Sequence, residues 1–113
     1  MVHYNIWVDL KPGVHDLAMI KAAQIYLQGF IEREEMVSYF VNRRTFGFGI
    51  EGVGEFYFRL SFINMTQMES ALGSAARRSG VVEQQHADLY TKVTNFKAAL
   101  YRDFPDEVRE EKI

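Results

Sequence analysis

Residues 55–63 read Glu-Phe-Tyr-Phe-Arg-Leu-Ser-Phe-Ile, and no other stretch constrains the chain as tightly. Phe56, Phe58, Leu60 and Phe62 alternate with Glu55, Tyr57, Arg59 and Ser61. Successive side chains on a strand point to opposite faces, so this spacing predicts a strand with one apolar face and one decorated face. The apolar face needs a cover of matching size. The decorated face, rich in Tyr and Arg, then becomes the functional question.

The cover is supplied by a helical pattern from about Val14 or Asp16 to Glu34. Met19, Ile20, Ala23, Tyr26, Leu27, Phe30 and Ile31 fall on one side, with Lys21, Gln24, Gln28, Glu32 and Glu35 on the other. Before it, Tyr4, Ile6, Val8 and Leu10 alternate with His3, Asn5, Trp7 and Asp9, a first strand ended by Lys11-Pro12-Gly13. Residues 36–46 read as a second strand with a less regular alternation, followed by a glycine-rich connection over 47–54. Thr66 and Glu69 have the spacing of a capping box, which predicts a helix beginning at Thr66. Arg77, Arg78, Ser79 and Gly80 suit its end. A third helical segment covers residues 82–93, and residues 95–104 read as the last strand.

This order is βαββαβ with an extra short helix before the last strand. It predicts an α+β, ferredoxin-like domain over residues 1–104, with a four-stranded antiparallel sheet covered by helices on one face. Residues 105–113 form a charged tail expected to fray. The opening Tyr4–Gly13 segment, the Phe46-Gly47-Phe48-Gly49 loop and residues 99–105 resemble a family of small uncharacterised bacterial proteins. The fold resembles the dimeric α/β-barrel group, in which two ferredoxin-like sheets face each other. That resemblance implies a homodimer. Among its members are cofactor-free monooxygenases, haem-degrading enzymes and proteins of unknown role.

Composition removes several function classes. With no cysteine, disulfides, thiolate metal sites and cysteine nucleophiles are excluded. The formal net charge of −2 offers no attraction to nucleic acid or an anionic membrane. No apolar run approaches the roughly 18 residues of a membrane span. The absence of a basic segment leading into an apolar one argues against a signal peptide, so the expected location is the cytoplasm.

The glycines at 47, 49 and 52 spell G-x-G-x-x-G, but between two strands, whereas dinucleotide binding needs a strand before and a helix after. A hairpin connection is the better reading. Arg43 and Arg44 beside it suit either an anion or a solvated strand end. His3, His15 and His86 lack metal spacing. His86, however, falls on the apolar side of its helix, as a core histidine or as an acid/base group opening into a cavity.

The decorated sheet face gathers Asn5, Trp7 and Asp9, then Tyr57, Arg59 and Ser61, then Lys97, Ala99 and Tyr101. Trp, Tyr and Arg are the types enriched at interface centres, so a homodimer interface is expected there. A cavity on the same face would make Asn5, Trp7, Tyr57, Arg59 and Tyr101 the ligand-binding residues for a small aromatic, oxygenated or anionic molecule. Arg59 would be its polar centre unless Asp9 or Glu55 pairs with it.

The leading reading is a homodimeric small-molecule-binding or interaction module. The alternative is a cofactor-independent monooxygenase or isomerase in which Tyr101 or His86 moves protons. A haem-degrading variant would pair Asn5 with His86 as iron ligand; no other cofactor and no metal site is expected.

Overall fold

The computed structural model describes residues 1–77 and 80–105. Arg78, Ser79 and the charged tail from residue 106 lie outside the described residues. The element order is β1 (Val2–Leu10), α1 (Asp16–Glu32), β2 (Ser38–Arg43), β3 (Phe56–Phe62), α2 (Met65–Ala76), α3 (Gly80–Tyr90) and β4 (Val93–Arg102). The four strands form one antiparallel sheet in the order β2-β3-β1-β4. The fold is α+β, with three helices and a four-stranded antiparallel sheet.

The alternation on β3 resolves as its sequence predicts. Phe56, Phe58, Leu60 and Phe62 are all buried, and they meet Met19, Ala23, Tyr26, Leu27 and Phe30 of α1 in one core. On β1, Val8 is buried in that core while Tyr4, Ile6 and Leu10 pack against it. The ambiguous β2 turns Tyr39 and Val41 inward, which leaves Ser38, Phe40 and Asn42 on the opposite face, in register with Ser61, Arg59 and Tyr57.

Several boundaries differ from the sequence reading, each for a local reason. The α2 cap is Asn64 rather than Thr66: its Oδ1 accepts from the Gln67 backbone N–H at 3.0 Å, and Gln67 Oε1 accepts from the Ile63 N–H at 2.7 Å. This is the same reciprocal capping logic, moved two residues upstream. The first helix stops at Glu32 because Glu34 adopts a φ of 60°, and that turn swings Glu35 inward. Glu35, expected on the wet side, is 8% exposed; its carboxylate accepts from Arg33 Nε at 2.7 Å and from the Ser74 hydroxyl of α2. The third helix runs Gly80–Tyr90, and β4 starts at Val93 and ends at Arg102.

Near its start β4 carries a bulge against β1. Trp7 faces Lys97 while Asp9 faces Thr94, and Asn95 takes up the extra residue at a φ of 54°. Asparagine tolerates this left-handed conformation better than most residues, and its Nδ2 donates to Asp9 Oδ2 at 3.0 Å. The connection over 47–54 is not slack at its end. A Cβ on Gly54 would sit 2.2 Å from the carbonyl carbon of Val8, so only glycine lets the strand entry lie against β1.

Two stability outcomes follow from this packing. Phe62→Ala, at a side chain only 2% exposed, should cost about 3–5 kcal/mol in urea unfolding. Gly54→Ala should cost about 1–3 kcal/mol through backbone overlap, whereas Gly73→Ala in α2, with open space around it, should be neutral or stabilise by up to about 1 kcal/mol. Equal effects of the two glycine changes would contradict the close approach at Val8.

Candidate functional site

Because β1 and β3 lie side by side in the middle of the sheet, their polar positions meet in rows on the face away from the helices. Asn5 stands between Arg59 and Ala99, Trp7 between Tyr57 and Lys97, and His3 between Ser61 and Tyr101. The face expected to gather Asn5, Trp7, Tyr57, Arg59 and Tyr101 is thus formed. It also includes His3, which the alternation of β1 places beside Asn5 and Trp7, and Phe40, whose face the irregular alternation of β2 leaves open.

Many of these groups are already committed to one another. Asn5 is 3% exposed; its Nδ2 donates to the carbonyls of His3 and Ala99, both at 3.2 Å, and its Oδ1 accepts from the Tyr57 hydroxyl. Trp7 stacks on Tyr57 with ring centroids 5.3 Å apart, and Phe40 meets the edge of the same ring. These contacts give a rigid, largely aromatic surface, with Phe40 43% and Tyr101 63% exposed. Over a single chain it is an open face.

Arg59 lies half-buried in the middle of this surface, its guanidinium 6.0 Å from the centroid of Phe40. Neither internal partner considered from sequence reaches it. Asp9 binds the Glu55 backbone N–H at 2.9 Å and Asn95, while Glu55 takes Arg43. Among the described residues no carboxylate forms an ion pair with Arg59. Arg43 in turn bridges Asp16 and Glu55, so it is a surface ion pair rather than an anion site.

His86 lies on the other side of the sheet. A cavity of about 250 Å³ opens between the sheet and the helices, walled by Ile6, Phe58, Leu60, Leu72 and Leu89 among others. His86 lines it beside Tyr26 and Tyr90, 5.6 and 5.7 Å away between ring centroids. Burial pushes the Tyr26 hydroxyl up to about 12, so it stays protonated at neutral pH and can donate. The two proton-moving candidates, His86 and Tyr101, therefore do not share a site. Nor do Asn5 and His86, because the period-two geometry of β1 points Asn5 away from the helix that carries His86. The haem-site pairing read from sequence is not formed. Among the described residues no group of acidic and histidine side chains could hold a metal ion.

Asp9 anchors the edge of the polar face, and its titration is testable. Hydrogen bonds from Asn95 and from the Glu55 backbone hold its carboxyl below the ordinary 3.8. A lowered folded-state pKa contributes stability above the unfolded value and loses it as pH falls through the folded one. Asp9→Asn should therefore be less stable than the parent at neutral pH, with the gap closing below pH 3.8. Urea midpoints across this range measure it; a gap independent of pH would refute the linkage.

This architecture has relatives of known structure. The protein At3g17210 from Arabidopsis thaliana matches with a TM-score of 0.72 at 12% identity, over 95% of this chain and 99% of that one. A solution structure of the same plant protein gives 0.67 at 9% identity, over 94% and 90%. A protein from Bacteroides fragilis, described as dimeric, of unknown function and of ferredoxin-like fold, gives 0.55 at 8% identity, over 90% and 95%. At such identities the likeness is one of fold. A search of curated proteins returns no match. No helix among the described residues is long and apolar enough to cross a membrane. The sequence itself matches one family along residues 1–113: this chain belongs to DUF6614, a family of unknown function.

Proposed function

We propose that this protein is a homodimeric binding module for a small, largely apolar molecule. The observation that carries the reading is the 250 Å³ cavity between sheet and helices, apolar along most of its wall, with polar groups from His86, Tyr26 and Tyr90 and from Tyr4 of β1. An apolar cavity of roughly 150 Å³ already holds benzene, so a ligand of one or two rings bearing an oxygen fits the size and the chemistry. The ring lies among Phe58, Leu60 and Leu72, and the oxygen bonds to Tyr26 or His86.

The second copy covers the open sheet face. Trp7, Phe40, Tyr57 and Tyr101 form an aromatic surface that a monomer would leave in water, and the Bacteroides fragilis relative is described as dimeric. Pairing of the faces gives the dimeric α/β barrel, with Arg59 of each chain near its centre. Phe46, Phe48 and Ile50, between 72% and 90% exposed on the loop from β2 to β3, add apolar surface for the same partner.

A second reading, a cofactor-independent oxygenase or isomerase, is favoured by a titratable His86 in an otherwise apolar and aromatic wall. In that case His86 moves a proton on the bound ring while Tyr26 holds its oxygen.

Light scattering should give about twice the 13.1 kDa chain mass. Ala75→Phe, which fills the cavity from α2, should weaken binding of 1-naphthol at least tenfold without changing that mass. Undiminished binding in Ala75→Phe, or none in the parent, would refute the cavity; a monomer would refute the pairing. Turnover of a bound phenol that is lost in His86→Ala would select the enzymatic reading.

A further inference from the structure

We infer that Ser61, His3 and Asp103 form an acyl-transfer site, with Ser61 as the nucleophile toward small carboxylic esters. The three residues are far apart in sequence and come together only through the sheet. Ser61 on β3 and His3 on β1 are direct cross-strand neighbours on the face away from the helices, and Asp103 follows the end of β4. His3 Nδ1 lies 2.8 Å from Ser61 Oγ, and His3 Nε2 lies 2.7 Å from Asp103 Oδ1.

The proton positions follow from chemistry. The bond to His3 lowers the Asp103 carboxyl below its ordinary value, so it is ionised at neutral pH and can only accept. Nε2 therefore carries a hydrogen, and in the neutral imidazole the lone pair on Nδ1 faces the serine hydroxyl. Nucleophile bonded to base and base oriented by a carboxylate is the arrangement that makes a serine reactive. Here the imidazole is turned: Nδ1 rather than Nε2 meets the serine. Either nitrogen can act as base when the other is held as N–H.

The surroundings favour reactivity. Ser61 and His3 are each 7% exposed, while the Asp103 carboxylate reaches the surface and its other oxygen pairs with the N-terminal ammonium at 3.2 Å. Two of its members sit on adjacent strands of the sheet, which holds them more firmly than loops would. Arg59 is the next side chain on β3 on this face, without an ion pair to a carboxylate among the described residues. The row is at the end of the sheet where β1 begins, roughly 13 Å along the strand from Trp7, and a small ester enters from that end.

In the reaction Ser61 Oγ bonds to the ester carbonyl carbon while its proton passes to His3 Nδ1. The bond from that carbon to the alkoxy oxygen then breaks, and the leaving oxygen takes the proton from His3. Water attacks the acyl-serine, gives a proton to His3, and releases the acid as Ser61 recovers it. No oxidant or cofactor enters the balance.

The test is reaction of the purified full chain with a small alkyl fluorophosphonate, read by intact mass and peptide mapping. One adduct on Ser61, formed with loss of fluoride, is expected, and His3→Gln should slow its formation by about 100-fold. With p-nitrophenyl acetate the parent should release a burst of nitrophenolate that Ser61→Ala lacks. No adduct on the folded parent, or an adduct elsewhere than Ser61, would overturn the inference. So would an unchanged labelling rate in folded His3→Gln. Mapping on the parent alone decides the matter if a variant fails to fold.

Discussion

The structure depends on covering one face of two central strands. Phe56, Phe58, Leu60 and Phe62 of β3, with Val8 of β1, need a partner surface, and α1 provides it through Met19, Ala23, Tyr26, Leu27 and Phe30. Each fully buried side chain of this size contributes about 1.5–3 kcal/mol relative to exposure. A strand cannot bury one face without committing the other, so the same alternation that builds the core presents Asn5, Trp7, Tyr57 and Arg59 together on the reverse side.

The sheet thereby divides the chemistry in two. On the helix side the walls are mostly apolar and the polar contribution comes from His86 with its neighbours Tyr26 and Tyr90, and from Tyr4, which suits holding a ring in a defined place. On the other side polar groups are dense and mutually satisfied: Asn5 braces Tyr57, Asp9 ties β4 to the entry of β3, and His3 links Ser61 to Asp103. Arg59 stands apart, with a guanidinium that stays charged at any working pH and no carboxylate paired to it among the described residues. A surface so arranged is prepared for a partner or an anionic state to complete it.

How far the chain can be read in advance depends on the range of the interactions. The alternation of β3 and the wide stripe of α1 are local periodicities, and they specify element type, inward face and the α+β class without further information. The two-sided face of β1 is legible for the same reason. The α2 boundary is less so, because both Asn64 and Thr66 can cap. The choice falls to Asn64, where Gln67 also reaches Ile63 and the carbonyl of Glu34 at 3.0 Å. Glu35 reads as a wet helix residue until the φ of 60° at Glu34 turns it under Ser74.

By itself, then, the sequence determines which segments are strands and helices, and which side chains of β3, β1 and α1 go inward. These follow from periods of two and 3.6 residues acting within one element. Only the tertiary structure decides that His86 and Asn5 are separated by the sheet, that Asp9 and Glu55 are taken by other partners than Arg59, and that Ser61, His3 and Asp103 come together. Those outcomes depend on strand order and register, in which residues 58 and 100 positions apart become neighbours. A periodicity carries information about which face a residue occupies, and none about which residue of another strand will lie beside it.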